Sequence, residues 1–488
     1  MPEVPYLDAV RRYADRGARR FHVPAHKGGA GAPAQLLDAM GSAVALDVPS
    51  CIDGIDLGYG ETPLQRAEQL AAKTWGAKRT WFLVNGATEA SHVLCLALGR
   101  CGGGEVVVQR NVHASTIHGL VLGGLRPVFV MPGLDERLGI AHCVSPRELA
   151  EQLDRTPDAM AAFVVSPTYF GAAADVRGLA EVCHERGVTL VVDEAWGAHF
   201  CLHHHLPQDA LDAGADVVIS GTHKMIGSLT QSAMLHLGPS QPGQLDEAAI
   251  SRALGLVRTT SPSSLLLGSL DAARAHVDQH GARLLHTALA QMRVVKRQLR
   301  GVRGLSVLGD ELVGQHGVAG FDPLRLAIDV SATGIDGHIL AADLLRVADI
   351  NLELVTSRVL IAHVGIGEPV LVGGSPLVKA LRALLALAPR ARGHESPWAP
   401  ADRFGELVLS PREAFLAEHD IVALGDSVGR VSADSIAVYP PGIANVLPGE
   451  RLTGPLVKFL LDMRARGRPL RGTWDESAGL IRVVRHCS

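Results

Sequence analysis

The sequence predicts an α/β fold, a mostly parallel sheet with helices on both faces, and three observations carry that prediction. Strand-like and helix-like segments alternate from about residue 61 to residue 240, the pattern that builds parallel sheets. The strand-like segments are short apolar runs such as Val217-Val218-Ile219, as expected of buried strands. The chain also carries 53 glycines, which suit many tight strand-to-helix turns.

Residues 1–60 read as irregular apart from an amphipathic helix over Tyr6–Arg16. Glu61–Trp75 reads as helix, Thr80–Val84 as strand and Thr88–Leu98 as helix. Strands follow at Glu105–Gln109, Arg126–Met131 and Ala161–Ser166, then a helix at Val176–Arg186 and strands at Val188–Val192 and Ala215–Ile219. Residues 266–300, rich in Ala, Leu and Arg, predict one long helix leading to strands at Leu324–Val330 and Arg358–Val364. The stretch Ala388–Ala401 carries three prolines with Gly and Ser and reads as a linker. A chain of 488 residues exceeds one ordinary core. The expected division is an N-terminal segment 1–60, a large domain 61–300, a smaller α+β domain 301–390 and a C-terminal α+β module 391–488.

Composition excludes several classes of function. With 47% hydrophobic and 20% charged residues the chain has the makings of a well-packed globular protein. Its 46 basic and 50 acidic residues leave a net charge of −4, so neither a nucleic-acid nor a membrane partner is expected. Seven scattered cysteines without a CxxC pair point to reduced thiols and a cytoplasmic location. Met1-Pro2-Glu3-Val4-Pro5 lacks the basic and apolar regions of a leader. The apolar runs are too short or too interrupted for a membrane span.

The chemistry concentrates where predicted strands end. Ser220-Gly221-Thr222-His223-Lys224 follows one apolar strand, and Asp193 closes another. In a parallel sheet both would emerge at the carboxyl edge, where ligands bind. A lysine able to form an imine and an acid able to face a pyridine nitrogen are what pyridoxal phosphate requires of its protein. Asn85-Gly86-Ala87-Thr88 ends a strand and opens a helix, whose free N–H groups could cradle a phosphate; an ordinary N-cap would look the same. His113, just past another strand, could stack on a flat ring or simply satisfy its own loop. Ala195 is small enough to lie beneath a ring, and Trp196 could wall the pocket. His203-His204-His205 lacks the acidic or thiol partners of a metal site and reads as an exposed loop. Gly102-Gly103-Gly104 reads as a turn and Leu265-Leu266-Leu267 as core.

Taken together, these residues make the chain resemble the bacterial Orn/Lys/Arg decarboxylases, in the short form without an N-terminal receiver-like domain. Phe21-His22-Val23-Pro24-Ala25-His26-Lys27-Gly28-Gly29 is similar to that family's FHVPGHKGG. Phe82–Gly86, Ser166–Gly171 with Thr168, Val192–Phe200, Ser220–Lys224 with Leu229-Thr230-Gln231, and Thr260-Ser261-Pro262-Ser263 follow in the family's order. Tyr439-Pro440-Pro441-Gly442-Ile443 with Pro448-Gly449-Glu450 resembles its C-terminal domain. The chain departs at Ala114, where the family often has lysine, across Asp53–Gly60, and at Asp434, Val438 and Ala444.

The resemblance implies a fold of the aspartate aminotransferase type (fold type I) and pyridoxal 5′-phosphate as cofactor. Lys224 would bond its aldehyde carbon, Asp193 would pair with its ring nitrogen, and His113 would stack on one face with Ala195 on the other. Gly86, Ala87, Thr88, Ser220 and His223 would hold the phosphate, with Thr168 and Trp196 lining the site. The implied reaction removes CO2 from arginine, lysine or ornithine, a step of amino-acid metabolism toward polyamines. Another reaction on the same cofactor, such as transamination, elimination or oxidative deamination, would need the same lysine and acid. A non-catalytic regulatory member would have lost them. Glu353, Asp434 and Asp56 are candidates for a cationic substrate tail, and Arg358 for a carboxylate. The resemblance also implies a homodimer or higher homo-oligomer, with Thr260 and Ser261 reaching the partner's site.

Overall fold

The computed structural model describes residues 2–50, 52–57, 60–99, 103–239, 245–368, 375–387, 404–438, 443–475 and 479–485. The whole of the expected linker, Gly58-Tyr59 and Tyr439-Pro440-Pro441-Gly442 lie outside them, as do Cys51, Cys101 and Cys487.

Seven strands form the central sheet: β1 (Arg79–Leu83), β2 (Glu105–Gln109), β3 (Arg126–Val130), β4 (Ala161–Val165), β5 (Thr189–Asp193), β6 (Val217–Ser220) and β7 (Ala233–Leu237). Their order is β1-β7-β6-β5-β4-β2-β3. All contacts from β6 through β3 are parallel, while β7 runs antiparallel to both β1 and β6. Hence six strands point one way, and their carboxyl ends share one edge. The α/β expectation holds, with β7 as the antiparallel exception.

Alternation along each strand divides the core between the two faces. In β4, Ala162 and Val164 join one apolar cluster and Ala161, Phe163 and Val165 the other. The first cluster packs under α1 (Pro5–Asp15), α2 (Pro63–Trp75) and the 37-residue α5 (Ser264–Arg300); the second packs under α3 (Gly86–Gly99) and α4 (Ala114–Gly123). Covering both faces is what makes parallel strands stable. Each chain direction change has a local cause: Thr62 and Gln65 form a reciprocal capping box at the start of α2, and Ser263 caps α5. Both satisfy first-turn N–H groups that the helix cannot.

A second, antiparallel sheet has the order Ser306–Val307, β8 (Arg325–Asp329), β9 (Val359–His363) and Leu354–Val355. Its apolar face continues the first cluster through Leu326, Ile328 and Leu360. The C-terminal region has a core of its own, built from Leu456, Phe459, Leu460, Ile481 and Val483 among others. Residues 1–60 are less irregular than the sequence suggests: Ala34–Met40 and Ala43–Leu46 are also helical. Both are too short to show a helical period. Of Leu265-Leu266-Leu267, only Leu267 is fully buried. No helix among the described residues is long and apolar enough to cross a membrane.

Candidate active site

The carboxyl edge gathers the loops after β1, β2, β4, β5 and β6 (residues 84–88, 110–113, 166–170, 193–196 and 220–224), the place where parallel sheets bind ligands. Asp193 is the last residue of β5 and pairs in register with Ile219 of β6, one residue before Ser220. Gly221 lets the two loops cross, since a Cβ there would lie 2.5 Å from the Ala195 carbonyl oxygen. After Gly221 a single helical turn, Thr222–Met225, carries Lys224.

The Lys224 ammonium sits 4.4 Å from the centre of the Trp196 ring. Burial lowers its pKa, Asp193 opposes that shift, Arg325 adds to it and Glu353 opposes it again. Asp193 binds the backbone N–H of Ala195 through Oδ1 at 3.0 Å, which leaves Oδ2 free of any recorded hydrogen bond among the described residues. His113 caps α4: its Nδ1 accepts the Ser115 N–H at 3.1 Å and faces the Ser115 hydroxyl at 2.8 Å. An Nδ1 that accepts leaves the neutral ring's proton on Nε2. Desolvation holds the His113 pKa below its ordinary value against the pull of Asp193, and Lys224 and His118 push it further down. One charge field therefore joins Lys224, Asp193 and His113, three residues from three different loops.

In the loop after β1, Gly86 has φ +70°, a left-handed conformation that favours glycine. It turns the chain so that Ala87 and Thr88 present first-turn N–H groups of α3. His223 Nδ1 donates to the Ser232 carbonyl at 2.8 Å, which fixes its ring. The buried Oγ of Ser220, Oγ1 of Thr222, Oγ1 of Thr168 and Nε1 of Trp196 have no hydrogen-bond partner among the described residues. Buried polar atoms are normally paired, so this group of four marks a place built for something else. Ala195 is buried, 5% exposed, beside Asp193. Thr260 and Ser261 are exposed on the connection into α5.

The substrate candidates separate. Glu353 lies close enough to Lys224 and Arg325 for its charge to act on both, and a hydrogen bond from His363 lowers its pKa most. Asp434 instead pairs with Arg482 at 2.8 Å inside the C-terminal region and is not among the groups acting on Lys224. Asp56 is also absent from that set; burial pushes its carboxyl up to about 6, with Arg258 opposing. Arg358 does not serve as a cleft cation either. Its guanidinium donates to the backbone carbonyls of Glu136 and Arg137.

The residue that sequence reasoning missed is Arg325, at the start of β8 opposite His363. Its side chain is fully buried, its guanidinium lies 4.1 Å from the Trp196 ring centre, and none of its three guanidinium nitrogens has a hydrogen-bond partner among the described residues. Burial lowers its pKa, and Asp322 and Glu353 supply the opposing negative charge. Gly171, with φ +98°, brings the loop after β4 against its stem, where a Cβ would meet Arg325 Cβ at 2.8 Å. The available signal was a lone arginine inside the apolar run Leu324–Ile328. The triple histidine forms a stacked surface loop, and no metal-binding cluster occurs among the described residues.

Known proteins match the chain along nearly its whole length. Residues 4–356 fit the family described as Orn/Lys/Arg decarboxylase, major domain, and residues 400–485 its C-terminal domain. The chain is 34% identical over 486 residues to an arginine decarboxylase of Halalkalibacterium halodurans, covering 99% of this chain and 98% of that one. It is 32% identical to an arginine decarboxylase of Bacillus subtilis with the same coverage of each, 99% and 98%. In structure it is similar to lysine decarboxylase A from Pseudomonas aeruginosa, with a TM-score of 0.81, 22% identity, and 99% of this chain and 80% of that chain covered. Constitutive lysine decarboxylase of E. coli gives a TM-score of 0.78 at 21% identity, covering 99% and 82% respectively.

Proposed function

The chain belongs to the Orn/Lys/Arg decarboxylase family and is a decarboxylase of a basic amino acid; from that premise we propose that its substrate is arginine and its cofactor pyridoxal phosphate. The likeness of Val192–Phe200 and Ser220–Lys224 to that family's motifs implies the cofactor. The observation that carries the proposal is the shared field of Lys224, Asp193 and His113 at one sheet edge. Arginine is favoured because relatives more than 30% identical and matching almost every residue carry that name.

The residues present fit the cofactor. The unpartnered Ser220 and Thr222 hydroxyls, the first turn of α3 and His223 supply donors for a phosphate. Asp193 offers a carboxylate oxygen without a hydrogen bond among the described residues for a protonated ring nitrogen, and Lys224 offers an amine whose pKa burial lowers, which favours its use as a nucleophile. When bound, pyridoxal phosphate supplies an electron sink for the pair released as the Cα–carboxylate bond breaks.

The chain's own residues do the rest. Asp193 would hold the proton on the ring nitrogen and so keep that sink positive. Arg325 would take the substrate's α-carboxylate with donors that no described residue occupies, and its charge is moderated by Asp322 and Glu353. Glu353 would face the cationic tail. Lys224 as its ammonium, or His113 as its imidazolium, would return a proton to Cα. Trp196 and Tyr169, edge to face at 6.1 Å, would exclude water beside the carboxylate, which strengthens its pairing with Arg325. In a homodimer, the exposed Thr260 and Ser261 would complete the partner's site.

The test is to incubate the cofactor-loaded protein with L-arginine, L-lysine and L-ornithine separately, measuring amine and CO2. The reading predicts equimolar agmatine and CO2, with kcat/KM for arginine at least about tenfold above the other two. A keto acid as the main product, or preference for lysine, would overturn it.

A further inference from the structure

We propose that a second cleft, between the last turns of α5 and the strand ending at Phe321, binds a small anion carrying more than one phosphoryl group. It has a volume of about 480 Å³ and is lined by Arg293, Lys296, Arg297 and Arg300 against a single lining carboxylate, Asp310. None of these residues belongs to the catalytic edge.

The four cations fall at i, i+3, i+4 and i+7 of one helix face, so they are stacked neighbours. Cations near a helix C-terminus complement its dipole, which accounts for Arg297 and Arg300 in the last turn. It does not account for Lys296, which is only 9% exposed. Its ammonium lies 5.6 Å from the centre of the Phe321 ring, and no carboxylate stands within ion-pair distance of it among the described residues. Burial of the side chain holds its pKa below the ordinary value, with Asp322, Asp310 and Glu311 opposing from beyond ion-pair distance and Arg300 adding to the shift. Arg293, Arg297 and Arg300 crowd the same opening, none with an ion pair among the described residues, and like charges so spaced on a helix repel one another. An anion in the cleft removes all of these costs at once.

The cleft's volume suits a small molecule rather than a macromolecule. Seven residues of helix span about 10 Å, longer than one phosphate, and arginine forks favour phosphoryl oxygens. A ligand with adjacent phosphoryl groups matches both the length and the charge.

Pyrophosphate is the probe. It is titrated calorimetrically into the cofactor-loaded full chain in about 0.1 M chloride, where loose surface charge is screened. The expected result is one saturable site per chain, with orthophosphate at least about tenfold weaker. Lys296→Gln should weaken binding about tenfold or more. The double variant Arg293→Gln, Arg297→Gln changes only exposed side chains, so it keeps the fold. It should do the same while decarboxylation continues. Absence of saturable binding, or unchanged affinity in the double variant, would overturn the proposal.

Discussion

Asp193, Lys224 and Arg325 each test one assignment. Asp193→Asn keeps the shape and the Ala195 contact but removes the charge facing a ring nitrogen. Its kcat should fall by about 10²–10³ at saturating cofactor, read from steady-state kinetics; a change under about threefold would remove Asp193 from the role. Arg325→Met removes the free donors while keeping the bulk against Trp196. KM for arginine should rise at least about tenfold, whereas inhibition by agmatine, which has no carboxylate, should move less than about threefold. Equal losses for both would show that Arg325 does not read the carboxylate. Lys224, Asp193 and His113 were legible in the sequence because each follows an apolar strand, where a polar side chain has few bland explanations. Arg325 was not, because it stands within such a strand. Its meaning comes from Trp196, His363 and Asp322, which only the fold brings near.

Two elements hold that edge in place. Gly221 lies where β6 turns beneath the loop after β5, and Gly221→Ala would drive a Cβ to 2.5 Å from a backbone oxygen. The loops must then separate, at about 1–3 kcal/mol, and both the thermal midpoint of the cofactor-loaded protein and its turnover should drop. Strand β7 closes the hairpin that carries Lys224. On it, His236 stands across from Thr80 of β1, bonds the Thr80 hydroxyl at 2.8 Å and is fully buried. Burial pushes its pKa down to about 3. The unfolded chain protonates this histidine below about pH 6.5 while the folded one does not, so its contribution is whole above pH 6.5 and declines as pH falls. Relative to His236→Asn, the native protein should lose about 1.4 kcal/mol per pH unit between about pH 6 and pH 4, measured by denaturant titration. A parallel pair of pH curves would contradict this. The sequence placed most strands within a residue or two, yet it missed β7, which none of the expected strands covers. Its short apolar run is broken by His236, and its place in the sheet is set by pairing with β1, over 150 residues away.

Across the whole molecule, the C-terminal region is tied to the catalytic edge and not merely appended. Arg110, three residues before His113, is buried and donates to the Ala444 carbonyl at 2.7 Å and to Glu450 at 3.1 Å. Its guanidinium also lies 4.3 Å from the Phe404 ring centre. Removing one partner strands a buried charge, so Glu450→Gln should cost about 3–5 kcal/mol. It should also lower kcat by loosening the loop that carries His113. Intact stability and turnover in that variant would show the contact to be idle. The sequence suggested a separate module there but not this anchor, since its two charges stand 340 residues apart. The proposed chemistry rests on one lysine bonding one aldehyde. Reducing the cofactor-loaded protein with borohydride and mapping the modified peptide by mass spectrometry reads that bond directly. The prediction is a single pyridoxyl phosphate adduct on Lys224, lost in Lys224→Ala together with the visible absorbance. An adduct on another lysine, or full turnover by Lys224→Ala, would contradict it.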